Sequence, residues 1–219
     1  MISWLLVTHI AVLGYWLGSE FVINSTYRFV CFNDDMPFAE RDRLMNHVMD
    51  VDQHVRYASA LQLILGTMLA ASYGFIPGGN TVVLVAGALG VVWLAFIEAV
   101  HRFRSKPVGQ SLAWADRASR YVLMILLIGV AIGLLGGAWP LPSWLRWKLV
   151  AFVGVMACGV GIRFALIEHF KVWRKMAQGE ISQANNETIK RLYVKATAVL
   201  LLLWFFIAAV VFLSVAKPF

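Results

Sequence analysis

Apolar residues run through this chain in six long stretches, separated by shorter polar or glycine-containing connections. The stretches cover about residues 2–27, 52–73, 81–101, 118–137, 144–173 and 194–215. Each is close to or above the ~20 residues that an α-helix needs to cross a ~30 Å hydrocarbon core. The pattern predicts an all-α fold: a polytopic membrane helical bundle of six transmembrane helices, forming one integral membrane domain over residues 1–219.

Composition points the same way. The chain is 60% hydrophobic and 14% charged, whereas a soluble domain carries roughly 25% charged and about 45–50% apolar residues. A net charge of +7 raises the question of nucleic acid. The basic residues, however, lie in connections between apolar stretches rather than in a soluble patch, so the expected partner is a lipid bilayer and not nucleic acid. Arg28, Arg41 and Arg43 follow the first stretch; Arg102, Arg104, Lys106 and Arg117 follow the third; Lys171, Arg174, Lys175, Lys190 and Arg191 follow the fifth. The connections around "FIPGGN" and "GGAWPLPSW" carry no charge. Positive charge marks the cytoplasmic side. The expectation is a multi-pass protein of the inner (plasma) membrane with both termini on the non-cytoplasmic side. Trp139, Trp144 and Trp147 suit an aromatic belt on that outer face.

Two connections carry extra content. The polar stretch after Pro37 reads as a short interfacial helix. A helix end at Gly179 is followed by a new helix capped near Asn185 or Asn186. The first stretch lacks a basic n-region and a small-residue cleavage site, and reads as a retained helix rather than a signal peptide. Cys31 and Cys158 have no metal-ligand spacing, and the eight methionines are scattered without forming a thioether ladder.

The middle of the chain has the form of a parallel repeat of helical hairpins. Asp52, Arg56 and Tyr57 open the second stretch, and Asp116, Arg120 and Tyr121 open the fourth with the same spacing. The following stretches end in "FIEAVHRFR" and "LIEHFKVWR", which sets Glu98 with His101 against Glu168 with His169.

Ionisable residues inside a span cost roughly 2.5–3.5 kcal/mol each on insertion scales and normally face the bundle interior. His9, Glu20, Arg56, Glu98, His101, Arg120, Lys148, Arg163, Glu168 and His169 are the candidates. For Asp52 with Arg56, and Asp116 with Arg120, the structural reading is mutual neutralisation at i,i+4. Glu98 and Glu168 divide between salt bridges (Glu98 to Arg56 or Arg120, Glu168 to Arg163 or Arg120) and proton or substrate handling. His101 and His169 divide between that role and helix C-terminal capping. His47 reads as solvated and His54 as interfacial. His9 stands within apolar sequence with no local partner, and a buried imidazole needs a hydrogen bond, a charge or a metal. Gly14 and Gly18 form a GxxxG that admits a close helix or a flat cofactor, and Gly154 and Gly159 invite the same reading.

The opening "HIAVLGYWLG", with His9, Trp16 and Gly18, resembles the first helix of a superfamily that includes the HemJ-type protoporphyrinogen oxidases and the copper-resistance D-type membrane proteins. "WLRWKLVAFVGVMACGVGIRF" is similar to the HemJ-type third helix, with Lys148 matching its functional lysine. "FLSVAKPF" is similar to that family's Lys-Pro-Phe ending, and "HVRYASALQLILGTML" would correspond to its second helix. The third and fourth stretches look inserted relative to that four-helix family. "RLYVKATAV" stands where the family has an Asn-Glu-x-Pro stretch, and Glu20 stands in a run that is usually apolar to basic.

The resemblance implies heme b held by His9 and Lys148, with Lys148 and Arg56 in catalysis and Arg120 and Arg163 available for porphyrin propionates. It implies a porphyrinogen oxidoreductase of porphyrin biosynthesis that passes electrons to quinone. Two other classes stand beside this one. The first is a non-catalytic integral subunit of a larger respiratory or metalloenzyme complex, or a homo-oligomer; the second is a membrane transporter or metal-handling protein.

Overall fold

The computed structural model describes residues 2–104 and 106–218. Phe219, the last residue of the Lys-Pro-Phe ending, lies outside the described residues. Six helices and no strand occur among them: α1 (Ile2–Phe32), α2 (Phe38–Ser72), α3 (Gly79–Arg102), α4 (Gly109–Ala131), α5 (Ser143–Ala177) and α6 (Gln183–Ala216). A helix is the form in which a single segment satisfies its own backbone hydrogen bonds away from water, and these apolar runs take it throughout. Four of them, α1, α3, α5 and α6, are long and apolar enough to cross a membrane. The other two, α2 and α4, carry the Asp and Arg residues of the repeated motif and are less apolar.

Consecutive helices are neighbours and α6 returns to α1, so the six close a ring. The two α-helical ends differ in chemistry. One end carries the basic connections, including that between α1 and α2; the other carries both described termini and the uncharged connections. At the basic end Tyr27, Val30, Cys31, Met45, Val48, Trp173, Met176, Ile189, Tyr193 and Ala196 form one buried core from α1, α2, α5 and α6. Further along, Trp16, Ala58, Val155, Cys158, Leu200, Leu203 and Ile207 continue the same four-helix packing. Large apolar side chains such as Leu84, Val91, Ile125, Phe205 and Phe212 point outward, which suits contact with lipid rather than water.

Several boundaries differ from the sequence expectation, and the basic-end core is the reason. The first helix runs past Tyr27 to Phe32, because Val30 and Cys31 are wholly buried there. No separate interfacial helix follows Pro37: α2 begins at Phe38 and continues unbroken for 35 residues, since Met45 and Val48 dock into that core. The fourth helix starts at Gly109 rather than near 118. The turn after α5 contains Gly179 at φ +97°, as a helix end at this residue requires. The start of α6 is capped by Ser182, whose hydroxyl accepts from the Asn185 backbone N–H, leaving Asn186 free for another partner. Lys190 joins this helix to the α1–α2 connection through Asp34 at 2.6 Å and also meets Glu187 at 3.0 Å. The two carboxylates hold its ammonium above the ordinary value.

The glycine expectations divide. Among the described residues nothing lies within 4 Å of where a side chain would project from Gly14 or Gly18, so none of the six helices packs on that GxxxG. The same holds for Gly159. The close approach is at Gly154, where an added Cβ would stand 2.7 Å from the Phe206 ring, and at Gly161, 3.3 Å from Val199. The interface these two glycines make possible is α5 against α6.

Candidate functional sites at two depths

The ionisable residues separate into an outer pair near the termini end, a central ion cluster and a buried knot at the basic end. His9 lies seven residues into α1, about 10 Å from its start at 1.5 Å per residue. Its backbone carbonyl accepts from the Gln62 amide of α2 at 2.7 Å. Its ring makes no hydrogen bond among the described residues, and Nδ1 is buried without a partner. Facing it is Gly66, whose missing Cβ would sit 3.6 Å from His9 Cε1. Lys148, near the start of α5, is the cation whose charge acts on this imidazole. Arg146, two residues earlier, is occupied elsewhere: its guanidinium donates to the carbonyls of Ala131 at 3.1 Å and of Val130 and Leu141 at 3.4 Å. It thereby satisfies the open end of α4, while Lys148 has no ion pair or side-chain hydrogen bond among the described residues. Among the described residues no three His, Cys, Asp or Glu side chains gather as metal ligands, so His9 stands as a lone donor.

The central cluster is built on Asp116 of α4, whose side chain is 5% exposed. Arg56 of α2 reaches its Oδ2 at 2.6 Å, Arg120 at 3.0 Å and Arg163 of α5 at 3.8 Å. Arg56 also donates to Gln53 at 3.2 Å, and Gln53 in turn donates to the Ile97 carbonyl of α3 at 3.3 Å. Four helices are therefore pinned at one level. The Asp116–Arg120 pair at i,i+4 is formed as expected. The Asp52–Arg56 pair is not: Arg56 crosses to the other copy of the motif, because Asp116 lies in the bundle where its own carboxylate needs cations. Along α5, Arg163 is 15 residues beyond Lys148, or about 22 Å.

The acidic and histidine residues at the helix ends take partners other than those expected. Glu98 bonds Arg102 and the Tyr57 hydroxyl, not Arg56 or Arg120. Glu168 is exposed and pairs with Lys171 at 2.6 Å, not with Arg163 or Arg120. His101 is half-buried at the end of α3. His169 is fully buried rather than capping a terminus. Its Nδ1 meets the Tyr27 hydroxyl at 2.9 Å, its ring stacks on Trp173, and its Nε2 has no partner.

Sequence reasoning missed three features. Arg41, assigned to a basic connection, is 1% exposed. It donates to the Val30 carbonyl at 3.1 Å and to Asn186 at 3.0 Å, and lies over the Trp173 ring; burial pushes its guanidinium below the ordinary value. Trp173 donates to Asp42 at 2.8 Å. His54 bonds the Tyr15 hydroxyl of α1. The polar segment around Arg41 sits beside apolar Phe38, Leu44, Met45 and Val48, a helical spacing that signals burial of one face.

No family model, no curated protein and no solved structure matches this chain.

Proposed function

We propose that this chain is a six-span membrane oxidoreductase that binds heme b or a related tetrapyrrole at His9, and that it removes electrons from a porphyrinogen and passes them to quinone. The observation that carries the reading is the His9 imidazole. It lies within an apolar helix, its Nδ1 is buried without a partner, and it faces a glycine instead of a side chain. Neutral imidazole is a good axial ligand for heme iron, and an unsatisfied buried one costs free energy that a ligand would recover.

The residues present fit such a group in three respects. The Gln62 amide fixes the His9 backbone, Gly66 presents no side chain to the ring, and Lys148 supplies a cation able to hold a propionate carboxylate. Bound heme would supply one-electron relay chemistry that the side chains themselves lack. The chain's part is to hold, orient and bury it. In this reading the porphyrin site is the outer one at His9 and Lys148; Arg163 lies 15 residues beyond Lys148 along α5, or about 22 Å.

The proposal includes the membrane topology: an inner (plasma) membrane protein, basic connections in the cytoplasm and both termini on the opposite side. It also includes duplication of the α2–α3 hairpin as α4–α5, supported by the convergence of Arg56 and Arg120 on one carboxylate. The activity is tested with purified protein in vesicles supplied with protoporphyrinogen and quinone. Porphyrin fluorescence should rise faster than in empty vesicles, and His9→Ala should remove the excess. A rate equal to that of empty vesicles overturns the proposed reaction.

A further inference from the structure

The central cluster contains more positive charge than its carboxylates balance. Arg56, Arg120 and Arg163 converge on one oxygen of Asp116. The second carboxylate whose charge acts on all three is Asp52, which makes no ion pair among the described residues. Three guanidiniums against two carboxylates leave an excess of one. Two nearby acids are paired with other cations, Glu98 with Arg102 and Glu168 with Lys171, and Glu20 accepts from the Trp16 indole at 3.2 Å without an ion pair among the described residues.

Donor capacity tells the same story. Each guanidinium offers five N–H donors. Arg163 makes no hydrogen bond among the described residues, and its ion pair with Asp116 is a long one at 3.8 Å. Arg120 has Asp116 alone as a side-chain partner among the described residues. The Nε of Arg56 is buried with none. The cluster also has a direction of access: the side chains of Asp116 and Arg56 are 5% and 15% exposed, while those of Arg120 and Arg163 are 29% and 41% exposed. A closed floor therefore lies beneath an open rim of two guanidiniums, whose planar forks match an oxyanion.

We propose that Arg120 and Arg163, backed by Arg56, form a binding site for one oxyanion, the carboxylate or phosphate group of a ligand. The group enters over the Arg163 rim and takes the donors that Asp116 leaves unused. It arrives either on a soluble anion or as the headgroup of an anionic lipid. The site does not depend on tetrapyrrole binding at His9, and it stands or falls separately.

The test uses the purified full chain in a phosphate-free, carboxylate-free neutral detergent at fixed ionic strength. Thermal midpoints are followed while inorganic phosphate, acetate or phosphatidylglycerol replaces chloride or neutral lipid. A saturable rise in midpoint with at least one probe is expected. Response to phosphate or acetate identifies a soluble ligand, and response to the lipid alone identifies a headgroup. Arg163→Gln should weaken the apparent affinity about tenfold, the loss of one charge-assisted contact. It should leave the ligand-free midpoint nearly unchanged, because Arg56 and Arg120 still hold Asp116. Asp116→Asn, where it folds, removes the internal competitor and should tighten binding. Saturation by no probe, or saturation that Arg163→Gln leaves intact, overturns the proposal.

Discussion

Replacing Asp116 by Asn should destabilise this protein more than neutralising any exposed carboxylate. The substitution keeps the shape of the side chain and removes its charge. In the folded protein that charge receives Arg56 at 2.6 Å, Arg120 at 3.0 Å and Arg163 at 3.8 Å on a carboxylate that is 5% exposed. Removing one partner of a buried ion pair costs about 3–5 kcal/mol, because the other charge remains buried; here three cations lose their common acceptor. Glu168→Gln is the reference, since its pair with Lys171 is 56% exposed on both sides and such pairs contribute within about 1 kcal/mol. The assay is unfolding by guanidinium chloride in neutral-detergent micelles, read by tryptophan fluorescence, in buffer free of phosphate and carboxylate. Asp116→Asn should lose about 3 kcal/mol or more and Glu168→Gln almost nothing. A loss below about 1 kcal/mol for Asp116→Asn would refute the view that this carboxylate organises α2, α4 and α5.

Three further substitutions test the packing and one buried hydrogen bond. Gly154→Ala should lower stability by about 1–3 kcal/mol through overpacking, since its Cβ would meet the Phe206 ring at 2.7 Å; Gly14→Ala, with open space around it, should be neutral or slightly stabilising in the same unfolding assay. Tyr27→Phe should cost about 1–3 kcal/mol by leaving the buried His169 Nδ1 without its partner at 2.9 Å, the penalty for an unsatisfied buried polar group, and an unchanged unfolding midpoint would contradict that assignment.

The helices were legible because long apolar runs bounded by glycine, proline and charge leave few other conformations. The partners of the charged groups were mostly not legible. Spacing along one helix finds i,i+4 neighbours such as Asp116 with Arg120, but Arg56 could equally serve Asp52 until the packing of α2 beside α4 decides for Asp116. Arg41 shows the opposite failure: a basic residue in a polar segment reads as solvated, and its burial follows from tertiary contacts with Trp173 and Asn186. The Gly14/Gly18 motif is a related case, since small residues permit a close approach without specifying what approaches. His9 was singled out because an isolated imidazole in an apolar run is costly wherever the helix packs, and the bond from Gln62 to its carbonyl needed the fold to be seen.

Tetrapyrrole binding at His9 is tested most directly by the reduced-minus-oxidised absorption spectrum of the purified full chain, wild type beside His9→Ala. The account predicts a Soret and α-band signature in the wild type that is lost in His9→Ala while circular dichroism retains the helical content. A wild-type protein without heme bands, or bands of equal intensity in both proteins, would contradict it.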